Sequence, residues 1–251
     1  MPERSVRMLV AQGCIIVVVL ASFAGIFIHS AAIGLTAGAA LAVDAYLPTD
    51  NRLFAAFAQP LARVRYVLVG EGPYPRAESA TGVCFMDGAV GELWSESGLS
   101  KPVNRATSLR NFMKMLLVAD GQLQPGATGG AAMAPVAAAA LSNGAVRTLA
   151  ELQRNLEGEG FLLLNASLVF RSHVKPAIDA RAWLPFLQVV LEVLAERPAP
   201  PALVLWGKIA EELKKLPETA QFPQAAAEQQ AAADVLGVGE VVFLGYRNDQ
   251  L

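Results

Sequence analysis

Three short stretches of this chain carry side chains suited to chemistry: "GEGPYP" at 70–75, Asn165 within "LLLNAS", and the Gly207–Lys208 pair within "LWGK". Gly70 and Gly72 let main chain approach a ligand closely, and Pro73 and Pro75 stiffen that approach, so the first stretch reads as a binding turn. The Asn165 amide offers one acceptor and two donors, a set that suits the amide edge of a nucleobase. Phe85, shortly after the turn, supplies a flat apolar face for a planar ligand. Taken singly, Asn165 reads as a cap at a strand-to-helix junction and Phe85 as core. Their joint placement is what points to a ligand.

That placement depends on the elements that carry them. Apolar runs recur at 63–70, 160–167 and 201–208, each apolar on both faces and each followed by one of the three stretches. Such runs, separated by helical patterns, predict buried strands of a parallel sheet, and hence an α/β fold. "SLRNFMKMLLVA" and "WLPFLQVVLEVLAER" repeat apolar residues at the three- and four-residue spacing of helices that pack on a sheet. Ligands of open α/β sheets lie beyond the carboxyl ends of the strands, which is where all three stretches fall. The Ala/Gly-rich stretch 121–144 reads as a surface loop leading into a weak Ala helix.

Composition limits the alternatives. The chain has 251 residues, 54% of them hydrophobic and 17% charged, enough for one large domain plus an appendage. The appendage reads as residues 1–43, because 8–43 contains no Asp, Glu, Lys or Arg and follows Arg4 and Arg7 in the manner of a signal or membrane anchor. A buried N-terminal helix is the other reading. The expected domain then spans 44–251. Cys14 and Cys84 are the only cysteines and sit in no metal-ligand spacing, so neither a metal, an iron–sulfur cluster nor any other cofactor is expected. A net charge of −2 advertises no polyanion partner, so a nucleic-acid site would have to be local. His29 lies inside the apolar run, which leaves His173 as the one histidine placed for chemistry.

Read together, these stretches resemble the uracil-DNA glycosylase superfamily. "DAYLPTDNRLFAAFAQPLARVRYVLVGEGPYP" is similar to the segment that leads into the family's water-activating loop, and "ATGVCF" places the family's uracil-stacking Phe at Phe85. "TSLRNFMKML" resembles a Pro-Ser-Leu helix start, "GFLLLNASLVFR" places the uracil-reading Asn at Asn165, and "LVLWGKIAEELKK" resembles a phosphate-pinching Trp-Gly-Ser loop. Residues 44–228 are covered in family order. The resemblance implies a three-layer fold around a four-stranded parallel sheet, and flipping of a base into a pocket. It also implies a DNA repair enzyme acting on uracil-containing DNA, located in the cytoplasm unless 8–43 anchors it to a membrane.

The resemblance further assigns roles. Gly70, Gly72, Tyr74, Phe85 and Asn165 would hold the base, with Tyr74 obstructing the methyl group of thymine; Lys101, Arg105, Gly207 and Lys208 would contact phosphates, and Arg110, Arg171 and Lys175 are further cations for that purpose. The family's catalytic Asp falls on Gly72, its preceding Gln on Glu71, and its closing His or Pro on Pro75. Glu71 is therefore the expected catalytic carboxylate, with Glu78 and Asp87 as alternatives. No histidine follows Glu228, where the family carries one that stabilises charge on the uracil oxygen. These departures predict either weak glycosylase activity or a catalytically inactive member that binds DNA or a free base.

Overall fold

A computed structural model describes residues 44–143, 145–204 and 208–222, with backbone alone at 208, 210 and 211. The apolar segment 8–43 and the tail after 222 lie outside the described residues. Three strands form a parallel sheet, β1 (Tyr66–Gly70), β4 (Phe161–Asn165) and β5 (Ala202–Val204), in the order β4-β1-β5. The described residues thus hold three parallel strands where four were expected. Within the run at 201–208, β5 covers Ala202–Val204, 205–207 are not described, and Lys208 opens helix α6 (Lys208–Leu213).

Strand alternation sends neighbouring residues to opposite faces, and the burial follows that period. Val67, Val69, Leu162 and Leu164 join one core with Trp183, Phe186, Leu187, Val190 and Leu191 of α5 (Pro176–Ala195). Tyr66, Leu68, Phe161 and Leu163 join the other with Leu109, Phe112 and Met113 of α2 (Thr107–Ala119) and Leu149, Leu152 and Leu156 of α4 (Leu149–Gly158). Both faces are covered, which is why β1 and β4 read as unbroken apolar runs. The two predicted helices correspond to α2 and α5, and Pro185 sits inside α5.

Two features were not predicted, and the helix expected in the Ala-rich stretch is fuller than its composition suggests. A two-stranded hairpin, β2 (Trp94–Ser95) with β3 (Gly98–Leu99), precedes α1 (Lys101–Arg105). The Ala-rich stretch forms a full helix, α3 (Gly130–Ser142), that buries Met133, Val136, Ala137 and Ala140. Thr148 and Glu151 close a reciprocal capping box at the start of α4, and the backbone N–H groups of Arg147 and Thr148 hold the Glu151 carboxyl below its usual range.

An ionic clamp ties the first described residue to the loop after β4. Arg171 donates Nε to Asp179 Oδ1 at 3.0 Å and Nη1 to Asp44 Oδ2 at 2.8 Å, while His173 Nε2 lies 3.2 Å from Asp44 Oδ1. The Arg171 hydrogen bond, with His173 adding a smaller attraction, holds the Asp44 carboxyl below its usual range. Arg171 is therefore a structural residue engaged with two carboxylates and is withdrawn from the phosphate candidates. His173, the histidine available for chemistry, is engaged with Asp44 at the same clamp.

Candidate nucleobase-binding site

Gly70 and Asn165 are paired in the β1–β4 register and end their strands side by side. The chain continues that pairing past the strands, because Ala166 N–H donates to Gly70 O at 2.8 Å and Ser167 N–H donates to Glu71 O at 3.1 Å. The turn at 70–72 is thereby fixed against 165–167. Gly70 is required here for lack of space: a Cβ would lie 2.9 Å from Cys84 Cβ and 3.0 Å from Asn165 Oδ1. Gly72 packs beside Ser167 with more room.

Asn165 is 4% exposed, yet among the described residues its amide makes no hydrogen bond. A capping role predicts such a bond, and the next helix begins only at Pro176. The capping alternative is therefore set aside. An amide on a buried residue, without a hydrogen bond among the described residues, sits next to the space beyond the strand ends, where a ligand can satisfy it.

The second wall is built by residues 81–87. Gly82 has φ +82°, and a Cβ there would come within 2.0 Å of Arg52 O, so only glycine lets the chain turn against residues 52–57. Thr81 Oγ1 donates to Met86 O at 2.8 Å and accepts from Val83 N–H at 3.2 Å, and Cys84 N–H donates to Leu163 O at 3.1 Å. Phe85 lies between these ties with φ +62°, a left-handed conformation that is uncommon for an aromatic residue. Its ring stacks on Phe112 of α2, with centroids 5.6 Å apart and 18° between planes, while the residue stays half-buried. Phe85 is thus neither plain core nor a ring lying on the surface.

Tyr74 closes one side. Its hydroxyl donates to Phe85 O at 3.4 Å. Burial, reinforced by the negative charge of Asp87, pushes the phenol well above its ordinary range, so it stays a neutral donor. Asp87, an alternative for the catalytic carboxylate, is already engaged. It is 2% exposed, pairs with Arg76 Nη2 at 3.3 Å and accepts from Ala89 N–H at 2.9 Å. Glu78 is exposed and lies 4.0 Å from Arg76 Nε. Glu71 is exposed at the rim of the turn, and among the described residues its carboxylate has no ion-pair partner.

Of the residues singled out from sequence, Gly70, Gly72, Tyr74, Phe85 and Asn165 therefore converge. Gly70 touches both Asn165 and Cys84, Cys84 precedes Phe85, and Tyr74 bonds to Phe85. Lys101 and Arg105 are exposed on α1, which packs against α2. Gly207 lies outside the described residues, and Lys208 is described only by its backbone at the start of α6. Sequence reasoning missed Cys84, whose thiol donates to Leu68 O at 3.4 Å beneath Gly70, and Phe112, hidden in the periodicity of a core helix. A cleft of about 440 Å³ lined by Leu141, Ser142, Val146, Arg147, Glu151 and Asn155 contains none of the site residues, and its Glu151 carboxylate is occupied by the α4 cap. Among the described residues no group of three or more His, Cys, Asp or Glu is placed to hold a metal ion.

The fold recurs in a solved protein. The wild-type UNG of Nitratifractor salsuginis is 39% identical to this chain and superposes with a TM-score of 0.63 over 76% of this chain and 79% of that one. The chain belongs to the uracil-DNA glycosylase superfamily. Curated relatives agree: the uracil-DNA glycosylase of Nocardioides sp. is 28% identical over 171 residues, and uracil-DNA glycosylase 2 of Streptomyces avermitilis 29% over 172. That of Corynebacterium glutamicum is 28% identical over 183 residues, covering 71% of this chain and 67% of the relative. The chain spans 60% of the length of the first two relatives. No family model matches the chain.

Proposed function

We propose that the protein is a uracil-DNA glycosylase-like repair enzyme that hydrolyses the N-glycosidic bond of a uracil flipped out of DNA. The observation that carries this reading is the Asn165 amide, without a hydrogen bond among the described residues, held beside Gly70, which packs close to Cys84, the chain neighbour of the half-buried Phe85. Asn165 reads the polar edge of uracil, Phe85 stacks on its plane, and Tyr74 occupies the space that a thymine methyl group would need. Cleavage breaks the bond between C1′ and N1, leaving an oxocarbenium-like sugar and a uracil anion. Water then adds to C1′, and its proton leaves to the uracil or to solvent. Glu71 faces the developing positive charge on the sugar, and a carboxylate there lowers the barrier electrostatically. Lys101, Arg105, Gly207 and Lys208 contact phosphates of the flanking strand.

The expected turnover is weak, because Gly72 stands where the family places its acid. The same departure favours a second reading, a catalytically inactive member that keeps the pocket and binds uracil-containing DNA. Release of free uracil from single-stranded DNA under single-turnover conditions decides between them. Release from a uracil strand and none from a thymine strand supports the enzyme. Selective binding without release supports the binder, and equal binding of both strands with no release removes the pocket assignment.

We also propose that the working domain starts at residue 44 and acts in the cytoplasm, with membrane association through 8–43 as the alternative. Among the described residues no helix is long and apolar enough to cross a membrane. A variant lacking 1–43 keeps Asp44 and with it the Arg171 clamp. It should remain soluble and unfold in one cooperative thermal transition. Aggregation and loss of that transition would show that 8–43 belongs to the core, and detergent-independent solubility of the full chain would count against an anchor.

A further inference from the structure

We propose that Phe112 is a positioning residue for the base-stacking ring: it sets the plane of Phe85 against which the flipped base lies, and through that plane the gap beside Tyr74 that excludes a methyl group. This inference rests on the functional reading above. Phe85 has φ +62°, a conformation that an aromatic residue keeps only where its surroundings over-determine it. The backbone part of that constraint is visible: Phe85 O accepts from the Tyr74 hydroxyl at 3.4 Å and from Asp87 N–H at 3.1 Å, and Cys84 N–H is tied to β4. These bonds fix the peptide and leave the side-chain torsions undetermined. The ring plane comes from the stack on Phe112, 5.6 Å away and tilted by 18°.

Phe112 is itself 2% exposed and sits in α2 within the core that also contains Leu109 and Leu163, so its own plane is set by that core. A buried ring thus hands its orientation to a half-buried one. Near-parallel offset stacking is a shallow but directional preference, and a ring already in the bound orientation costs a ligand nothing to order. Because the Tyr74 hydroxyl is bonded to the carbonyl of the same Phe85, tilting the ring changes the space between ring and phenol. Selectivity against thymine should therefore suffer more than general strand binding.

The test compares Phe112→Leu, which keeps apolar volume and loses the flat face, with Phe112→Tyr, which restores the face, and with Met113→Ala, which damages the same core without touching the stack. Anisotropy titrations with uracil- and thymine-containing single strands give the preference, and ¹³C-labelled phenylalanine gives the Phe85 ring signal in the unliganded protein, identified by its loss in Phe85→Leu. Phe112→Leu should lower the uracil preference about ten-fold, with the Phe85 signal moved, while Phe112→Tyr and Met113→Ala retain the preference. An unchanged preference in Phe112→Leu, or an equal loss in Met113→Ala, overturns the proposal. If the wild-type protein shows no preference, the pocket reading fails and the ring signal decides separately. A signal moved by Phe112→Leu and unmoved by Met113→Ala supports the positioning role, and a signal unmoved by both removes it. Should Phe112→Leu fail to fold, Phe112→Met makes the same comparison.

Discussion

Asn165→Ala should erase the preference for uracil over cytosine while leaving the fold intact. The two bases present opposite patterns on the edge that an amide can reach. Uracil offers a carbonyl acceptor beside an N–H donor, and cytosine an amino donor beside a ring acceptor. An Asn fixed in one orientation matches the first and opposes the second. Asn165 is fixed: its backbone is in register with Gly70, its Oδ1 lies against the place where Gly70 lacks a Cβ, and the residue is 4% exposed. A bidentate base contact is worth roughly 1 to 3 kcal/mol of discrimination. Its loss should bring binding of uracil and cytosine strands close to equality.

The fold should survive, because the amide has no hydrogen bond to lose among the described residues. Truncating the side chain to a methyl group removes a polar group that the described residues do not satisfy. Thermal unfolding of Asn165→Ala should therefore lie close to the wild type, in contrast to Gly70→Ala, where the new Cβ meets Cys84 at 2.9 Å. Paired titrations with uracil and cytosine strands check the first claim. An unchanged preference would mean that Asn165 does not read the base.

What the sequence revealed and what it hid have separate physical causes. β1 and β4 were legible because strands buried on both faces must be apolar throughout, and Asn165 stood out as the polar residue that ends such a run. The convergence of 70–75, Asn165 and Phe85 followed from the rule that strand carboxyl ends meet on one side of a parallel sheet. β5 was legible in the same way, through the apolar residues at 202–204. The hairpin 94–99 was invisible because two-residue strands show no period. The positive φ of Phe85 is a long-range effect, imposed by the ties of 81–86 to β4 and to residues 52–57, and local sequence does not encode it. Arg171 and Asp87 were misjudged for a common reason: a charged residue on paper looks solvated, whereas each is committed to partners that only the folded chain brings near. Phe112 was hidden by its own helix, where an aromatic at core spacing looks like any other packing residue.

Glu71→Gln should lower uracil release by about 10²-fold, the lower end of what a positioned charged group contributes to such a step. The argument begins with the transition state. As the C1′–N1 bond lengthens, the sugar gains positive charge, and a nearby carboxylate gains attraction that it lacks in the ground state. Glutamine keeps the shape of glutamate and removes the charge, so the substitution isolates that term. The change should be nearly silent for stability, because Glu71 is exposed and its carboxylate has no ion-pair partner among the described residues. The backbone that positions it is unaffected, since Ser167 N–H bonds to the Glu71 carbonyl whatever the side chain. Strand binding should hold or improve slightly, as a negative charge is removed beside a polyanion. A loss confined to the single-turnover rate, with the dissociation constant unchanged, thus identifies Glu71 as the group that meets the developing charge. Equal rates in both proteins, above background, would assign that charge to another group. The exposed rim position would then mark Glu71 as a residue that the turn tolerates, and the reaction would rest on the base contacts of Asn165 and Phe85 alone.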